Sequence, residues 1–240
     1  MKKSEKEYSI NFYTNLPETK ESWAEICRAM RVVERAYKWA DRRLRKALRE
    51  SFYDYPNNHS SNELKIAVNI DKDNTDHCGG VFCPEDNEIV INKYVEPIVF
   101  GDKVPYLLNL IDDKNRLRHI IAHELIHYAF TEYEYTGDKD KPISWTVGLC
   151  AEENTANPVE KLSSKKWKVD EWLDEVLTER LAMHISGWAK TDTMLYEKNI
   201  SDEDKNIFEK VKQKLTVGPV VFDSIVNALY YHDKSIFFGS

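Results

Sequence analysis

Apolar and polar positions along this chain follow two periods, and the places where one gives way to the other mark out the elements. From Trp23 onward, Ile26, Cys27, Met30, Val33, Tyr37, Ala40, Leu44 and Ala47 step by three and four residues, which predicts one long amphipathic helix. Ser22-Trp23-Ala24-Glu25 has the form of a capping box and sets its start at Ser22. The residues before it read as a disordered or extended lead-in. After a polar loop over 51–62, Leu64 to Ile70 alternates with period two, and Gly80 to Cys83 and Glu88 to Asn92 are further strand-like runs. Asp86-Asn87 is a turn joining the last two as a hairpin, and Gly79-Gly80 favours 81–83 as the sheet edge. A short helix is expected from Pro105 to Ile111.

Helical spacing returns from Arg116 to Thr131, with Leu117, Ile121, Leu125 and Tyr128 in one stripe. Residues 132–163 show little periodicity and read as loop, with one short helix around Val147 to Glu153. Asp170 then caps a helix whose Trp172, Leu173, Val176, Leu177, Leu181, Met183 and Ile185 cover over half its circumference, so it should be buried. Two more helices are expected, Asp202 to Leu215 capped by Ser201, and Pro219 to Tyr230. The fold class is therefore α+β, one domain over 1–240. It comprises an N-terminal helical extension (1–62), a small mixed sheet with a central helix (63–131) and a helical subdomain (132–240).

Composition narrows this only a little. An apolar share of 42% and a charged share of 31% suit a globular protein, and no stretch approaches the roughly 20 apolar residues of a membrane span. The basic residues near Met1 have no apolar core behind them, so a cytoplasmic location is expected. Cys27, Cys78, Cys83 and Cys150 follow no disulfide spacing and read as free thiols; His77, Cys78 and Cys83 lack the partners of a structural zinc site. A net charge of −7 argues against nucleic-acid affinity, and no membrane partner is expected. Charge is uneven, however: residues 1–50 hold 13 basic and 8 acidic side chains, net +5, against 21 and 33, net −12, for the rest. The basic face of the first helix could dock nucleic acid or another anionic partner. The preferred reading is a solvated face whose arginines pair with the acidic remainder.

Chemistry concentrates in His123-Glu124-Leu125-Ile126-His127, an HExxH motif inside the central helix. Residues four apart share a helix face, so His123 and His127 can bind one metal ion while Glu124, about 100° round, reaches a water on it. Zinc, Zn2+, suits two neutral imidazoles with room for a third side chain and a reactive water. Downstream, Glu171, Glu175 and Glu179 form a stripe at the margin of a buried helix face. Carboxylates there need a partner, and a metal held by the first helix would supply one.

These two helices resemble the zincin metallopeptidases, and within them the gluzincins, where HExxH is completed by a glutamate on a later helix. Glu175-Val176-Leu177-Thr178-Glu179 is similar to the E-x-x-x-E of the lethal-factor-like group. The plan of small sheet, HExxH and later Glu is also similar to the ImmA/IrrE-like peptidases, although their usual Gly is replaced by Ile126. The likeness covers residues 64–186 as a plan, and only the two helices as motifs. It implies a zincin-like fold and a zinc-dependent metalloendopeptidase acting on a protein or peptide substrate. Glu124 would be the catalytic base, His123, His127 and Glu175 the metal ligands, and Glu179 the carboxylate holding a ligand histidine by its far ring nitrogen. Members often place a Tyr or His near the third ligand to stabilise the oxyanion. Tyr128, Tyr133, Tyr135 and His184 are the candidates, with the role unassigned. The alternative is a catalytically inactive binding or regulatory protein of the same fold, docking a partner through its basic first helix.

Overall fold

The computed structural model describes residues 8–51, 53, 63–71, 78–95, 107–134, 144–153, 169–187, 205–206, 209–210, 220–233 and 235. Its architecture is α+β: small sheets packed against helices. The lead-in contains β1 (Tyr8–Thr14), a full strand of the sheet that pairs parallel to β2 (Leu64–Ile70) with Ile10 opposite Ile66. β2 pairs parallel with β4 (Glu88–Asn92), and β3 (Gly80–Cys83) closes the row antiparallel to β4, Phe82 opposite Ile89. The order β1-β2-β4-β3 thus makes β3 an edge strand, as the paired glycines suggested. The β3–β4 connection is a 3-10 turn, Pro84–Asp86, closed by Asn87 at φ 52°, a left-handed conformation that asparagine tolerates.

Alternation decides which side of the sheet is covered. Leu64, Ile66, Val68 and Ile70 of β2 and Ile89 and Ile91 of β4 are buried in one core with the long helix α1 (Lys20–Glu50) and the central helix α2 (Lys114–Ala129). α1 buries Ile26, Ala29, Val33, Ala36, Tyr37, Ala40, Leu44 and Leu48. It begins earlier than the capping box implied. Thr19 is the N-cap, its hydroxyl accepting from Ser22 N at 3.1 Å. Glu25 instead accepts from Tyr94 Oη at 2.7 Å and forms a part-buried pair with Lys93, so a specific tertiary bond outcompetes the local cap. Trp23 lies half exposed at the helix start, edge-on to Phe12.

Three further expectations need correction. Leu108–Asn109, inside the expected 105–111 helix, is a short strand, β6, paired with β5 (Tyr94–Val95); residues 105–106 lie outside those described. The segment after α2 is a three-stranded antiparallel sheet of β7 (Thr131–Glu134), β8 (Ser144–Val147) and β9 (Cys150–Glu153), with no helix at 147–153. Gly148, at φ +52°, makes the tight β8–β9 turn. The next helix, α3, runs Val169–Ser186 and so includes Asp170, which therefore sits inside the helix rather than capping it. α3 packs between α2 and α4 (Val220–Tyr230), burying Trp172, Leu173, Val176, Leu177, Leu181, Ala182 and Ile185. The expected helix from Asp202 to Leu215 lies largely outside the described residues. None of the described helices is long and apolar enough to cross a membrane.

Candidate metal centre

α2 is buried on nearly its whole circumference between Leu117 and Ala129, because α1 and β3 cover one side and α3 the other. Asp113 caps its start, accepting from the backbone N–H of Asn115 and Arg116. Leu117, Ile121, Leu125 and Tyr128 form the expected core stripe, and His119, His123 and His127, one turn apart, meet α3. Four-residue spacing thus brings three imidazoles, not two, onto the face that α3 covers.

Two residues of α3 answer them. Glu175 Oε2 lies 3.1 Å from His123 Nε2, and Glu175 Oε1 lies 3.4 Å from His127 Nε2; the two Nε2 atoms are 3.1 Å apart. Ligands about 2.0–2.1 Å from a tetrahedral zinc stand roughly 3.3 Å from one another, close to each of these separations. The two carboxylate contacts use different oxygens, and with one oxygen taken from Glu175 the three donor atoms all lie within 4.8 Å of one another. His123, His127 and Glu175 are the group among the described residues able to hold a metal, and they include each ligand expected from the sequence. Glu179, one turn further, accepts at the far side of the first ring, 3.1 Å from His123 Nδ1. It also contacts His119 Nε2 at 3.0 and 3.1 Å, while His119 Nδ1 lies 3.1 Å from Ser186 Oγ.

Asp174 is a participant that sequence reasoning missed. Its Oδ2 lies 3.3 Å from His127 Nδ1, within ion-pair distance though without full hydrogen-bond geometry, and its Oδ1 accepts from Leu149 N at 2.8 Å. Each of these two histidines therefore has an acid at its Nδ1, Glu179 for His123 and Asp174 for His127, an arrangement that would favour the tautomer leaving Nε2 free to bind a metal. His119 was also missed as a partner of Glu179. Its i−4 spacing from His123 was the available signal; Asp174 had none beyond its place next to Glu175.

Electrostatics follow from this crowding. Glu124, Asp174 and Glu179 are buried, Glu175 is partly so, and all stand close to His123 or His127. Burial alone would depress His123, but the carboxylates of Glu175 and Glu179 outweigh it and hold the imidazole up to about 10. His127 is likewise raised against its burial by Glu175 and Asp174. Burial would raise Glu175 and Glu179, yet the histidines pull both down, Glu179 to about 2. Such a nest of buried acids requires positive charge, which protons on the imidazoles or a bound dication can supply.

Glu124 faces another way. Burial raises its carboxyl above the usual range, and it sits beneath β3, where a Cβ on Gly80 would come within 2.9 Å of its Cγ. Only glycine lets the edge strand pass this close to α2. Of the oxyanion candidates, Tyr133 Oη donates to Pro84 O at 3.1 Å, the Tyr128 ring packs edge-on to Phe82, and exposed His184 lies tilted against the Phe222 ring. Tyr135 and His77 lie outside the described residues. Among known proteins, no family model, no curated protein and no solved structure matches this chain.

Proposed function

We propose that the protein is a zinc-dependent metalloendopeptidase of the zincin type, hydrolysing peptide bonds of a protein or peptide substrate. The observation that carries this reading is the meeting of Glu175 with the Nε2 atoms of His123 and His127 at metal-sharing distances, with Glu124 beside them under an edge strand. His123, His127 and Glu175 would hold the zinc, which when bound would supply Lewis acidity to a water and a substrate carbonyl. Glu124 takes the proton of the attacking water and returns it to the leaving amine, so that one water is consumed for each peptide bond broken. β3 offers the backbone of an edge strand next to Glu124, on which an extended substrate can add as a further strand. Glu179 and Asp174 hold the ligand rings in orientation.

A second reading is a catalytically inactive binding protein of the same plan. It draws on the Tyr133 hydroxyl being bonded to Pro84 O and on exposed His184 lying against Phe222, which leaves the oxyanion role without an assigned residue. Glu124→Gln separates the two. The peptidase reading expects this variant to keep zinc and lose cleavage of an unfolded protein by at least about 100-fold, whereas His123→Ala loses both. Cleavage by Glu124→Gln at the wild-type rate would overturn it.

A further inference from the structure

The packing of α1 exposes a face whose composition the helix's role in the core does not explain. Its buried residues from Ile26 to Leu48 occupy one side, and the opposite side carries Arg28, Arg31, Arg35, Lys38, Arg42 and Arg49, all exposed. They recur at steps of three, four and seven, which keeps them on one narrow line. Arg45 and Lys46 fall in the same arc. Between positions 28 and 49 this outward arc, about 100° wide, contains no acidic and no apolar residue, in a chain with more acidic than basic residues overall. The acids of this stretch, Glu34 and Asp41, stand at its margin, where Glu34 meets Lys38 and Asp41 meets Arg45. Arg28 reaches Asp112 in a pair so exposed that water and salt compete with it freely. Over 21 residue steps the line runs about 32 Å.

We propose that the outward face of α1 is a docking surface for the phosphate backbone of nucleic acid, bound without sequence preference. The face argues for this partner over the others. An insertion into lipid or a protein interface uses exposed apolar or aromatic anchors, and the apolar side of α1 is consumed by the core. Phosphate suits guanidinium, which binds it in a two-pronged fork, and six of the eight cations are arginine. A straight run of charge longer than two turns matches a regular polyanion rather than a single ligand group. Arg118 of α2 and Arg43 both lie over the Trp39 ring beside the line, at 4.4 and 5.3 Å, and widen the positive surface toward α2. The acidic remainder of the chain does not cancel the attraction, because screening confines it to the surface within about 10 Å.

The full chain is titrated against a fluorescent 20-base-pair duplex DNA of random sequence and a single-stranded RNA of equal length, from low to physiological salt. Binding to either is expected, insensitive to sequence, with a log–log salt slope of about −4 to −7 for five to eight phosphates contacted. The charge reversal Arg35→Glu/Arg42→Glu/Arg49→Glu is expected to weaken binding at least about 10-fold with unchanged circular dichroism and melting. A control reversal of equal charge at exposed lysines outside α1 and α2, Lys65→Glu/Lys205→Glu/Lys210→Glu, is expected to weaken it less than 3-fold. Equal loss in the two variants would overturn the proposal. So would no binding at low salt, or poly-glutamate competing as well as nucleic acid.

Discussion

One side chain, Asp174, bears directly on how well the proposed metal ligand His127 is held. Asp174 stands between His127 Nδ1 and the backbone of Leu149, so it ties a ligand ring to the turn of the second sheet. Asp174→Ala is expected to weaken zinc binding about 10–100-fold, as read by competition with a chromophoric chelator, and Asp174→Asn to recover part of it. An unchanged affinity in the alanine variant would remove Asp174 from the site. At the same scale, Tyr37 is buried against Tyr8, and burial, with Asp41 nearby, raises its hydroxyl well above the usual value of 10. The folded state thus keeps a proton that the unfolded chain releases. Tyr37 contributes its full stability below pH 10, and that contribution falls as pH rises further, by up to about 1.4 kcal/mol per pH unit. Denaturant titrations at pH 9 to 11.5 should show a shallower alkaline loss in Tyr37→Phe than in the wild type; parallel curves would refute this assignment.

Where elements meet, two glycines set the spacing. Gly80 lets β3 lie against α2 over Glu124, and Gly148 turns β8 into β9 against Asp174. A Cβ on Gly80 would press on Glu124 Cγ and Ile120 Cγ2, at 2.9 and 2.8 Å. Gly80→Ala should therefore displace the base, lowering kcat at least about 10-fold while zinc affinity stays within 3-fold, because no ligand touches that Cβ. Gly148→Ala meets Asp174 directly, in a backbone conformation that disfavours a side chain. It is expected to cost about 2 kcal/mol or more in denaturant unfolding and to loosen zinc as well.

The same meetings explain what was legible in the sequence. Periodicity located β2, β3, β4, α1, α2 and α3 to within a few residues, because each has one buried stripe and the two periods differ. It missed β7, β8 and β9, which are short and whose stability comes from pairing with one another and with the Gly148 turn rather than from an apolar pattern. It also misplaced the start of α1, since Glu25 satisfies Lys93 and Tyr94 from a strand some seventy residues away. The candidate site was readable where ligands obey helix spacing: His123 to His127 within α2, Glu175 to Glu179 within α3. His119 obeys the same spacing, one turn before His123, and was overlooked; Asp174 was not readable, because its role exists only once α2 and α3 face each other at one particular rotation.

Across the whole molecule, a charged outer line on α1 and an acid–imidazole cluster between α2 and α3 are separated by the core-facing side of α1. The cluster is the costlier construction. Four carboxylates and three histidines occupy volume that apolar packing could have filled, and such a nest of acids needs compensating positive charge, which we propose is a bound cation. The central claim is that this cation is zinc, shared by His123, His127 and Glu175. Its most direct test is the zinc content of the full chain after dialysis against a weak chelator, compared with that of Glu175→Ala. The account predicts one zinc per chain in the wild type and loss of most of it in Glu175→Ala, with melting of both proteins still cooperative. A wild-type protein that retains no zinc, or a Glu175→Ala protein that retains as much as the wild type, would contradict it.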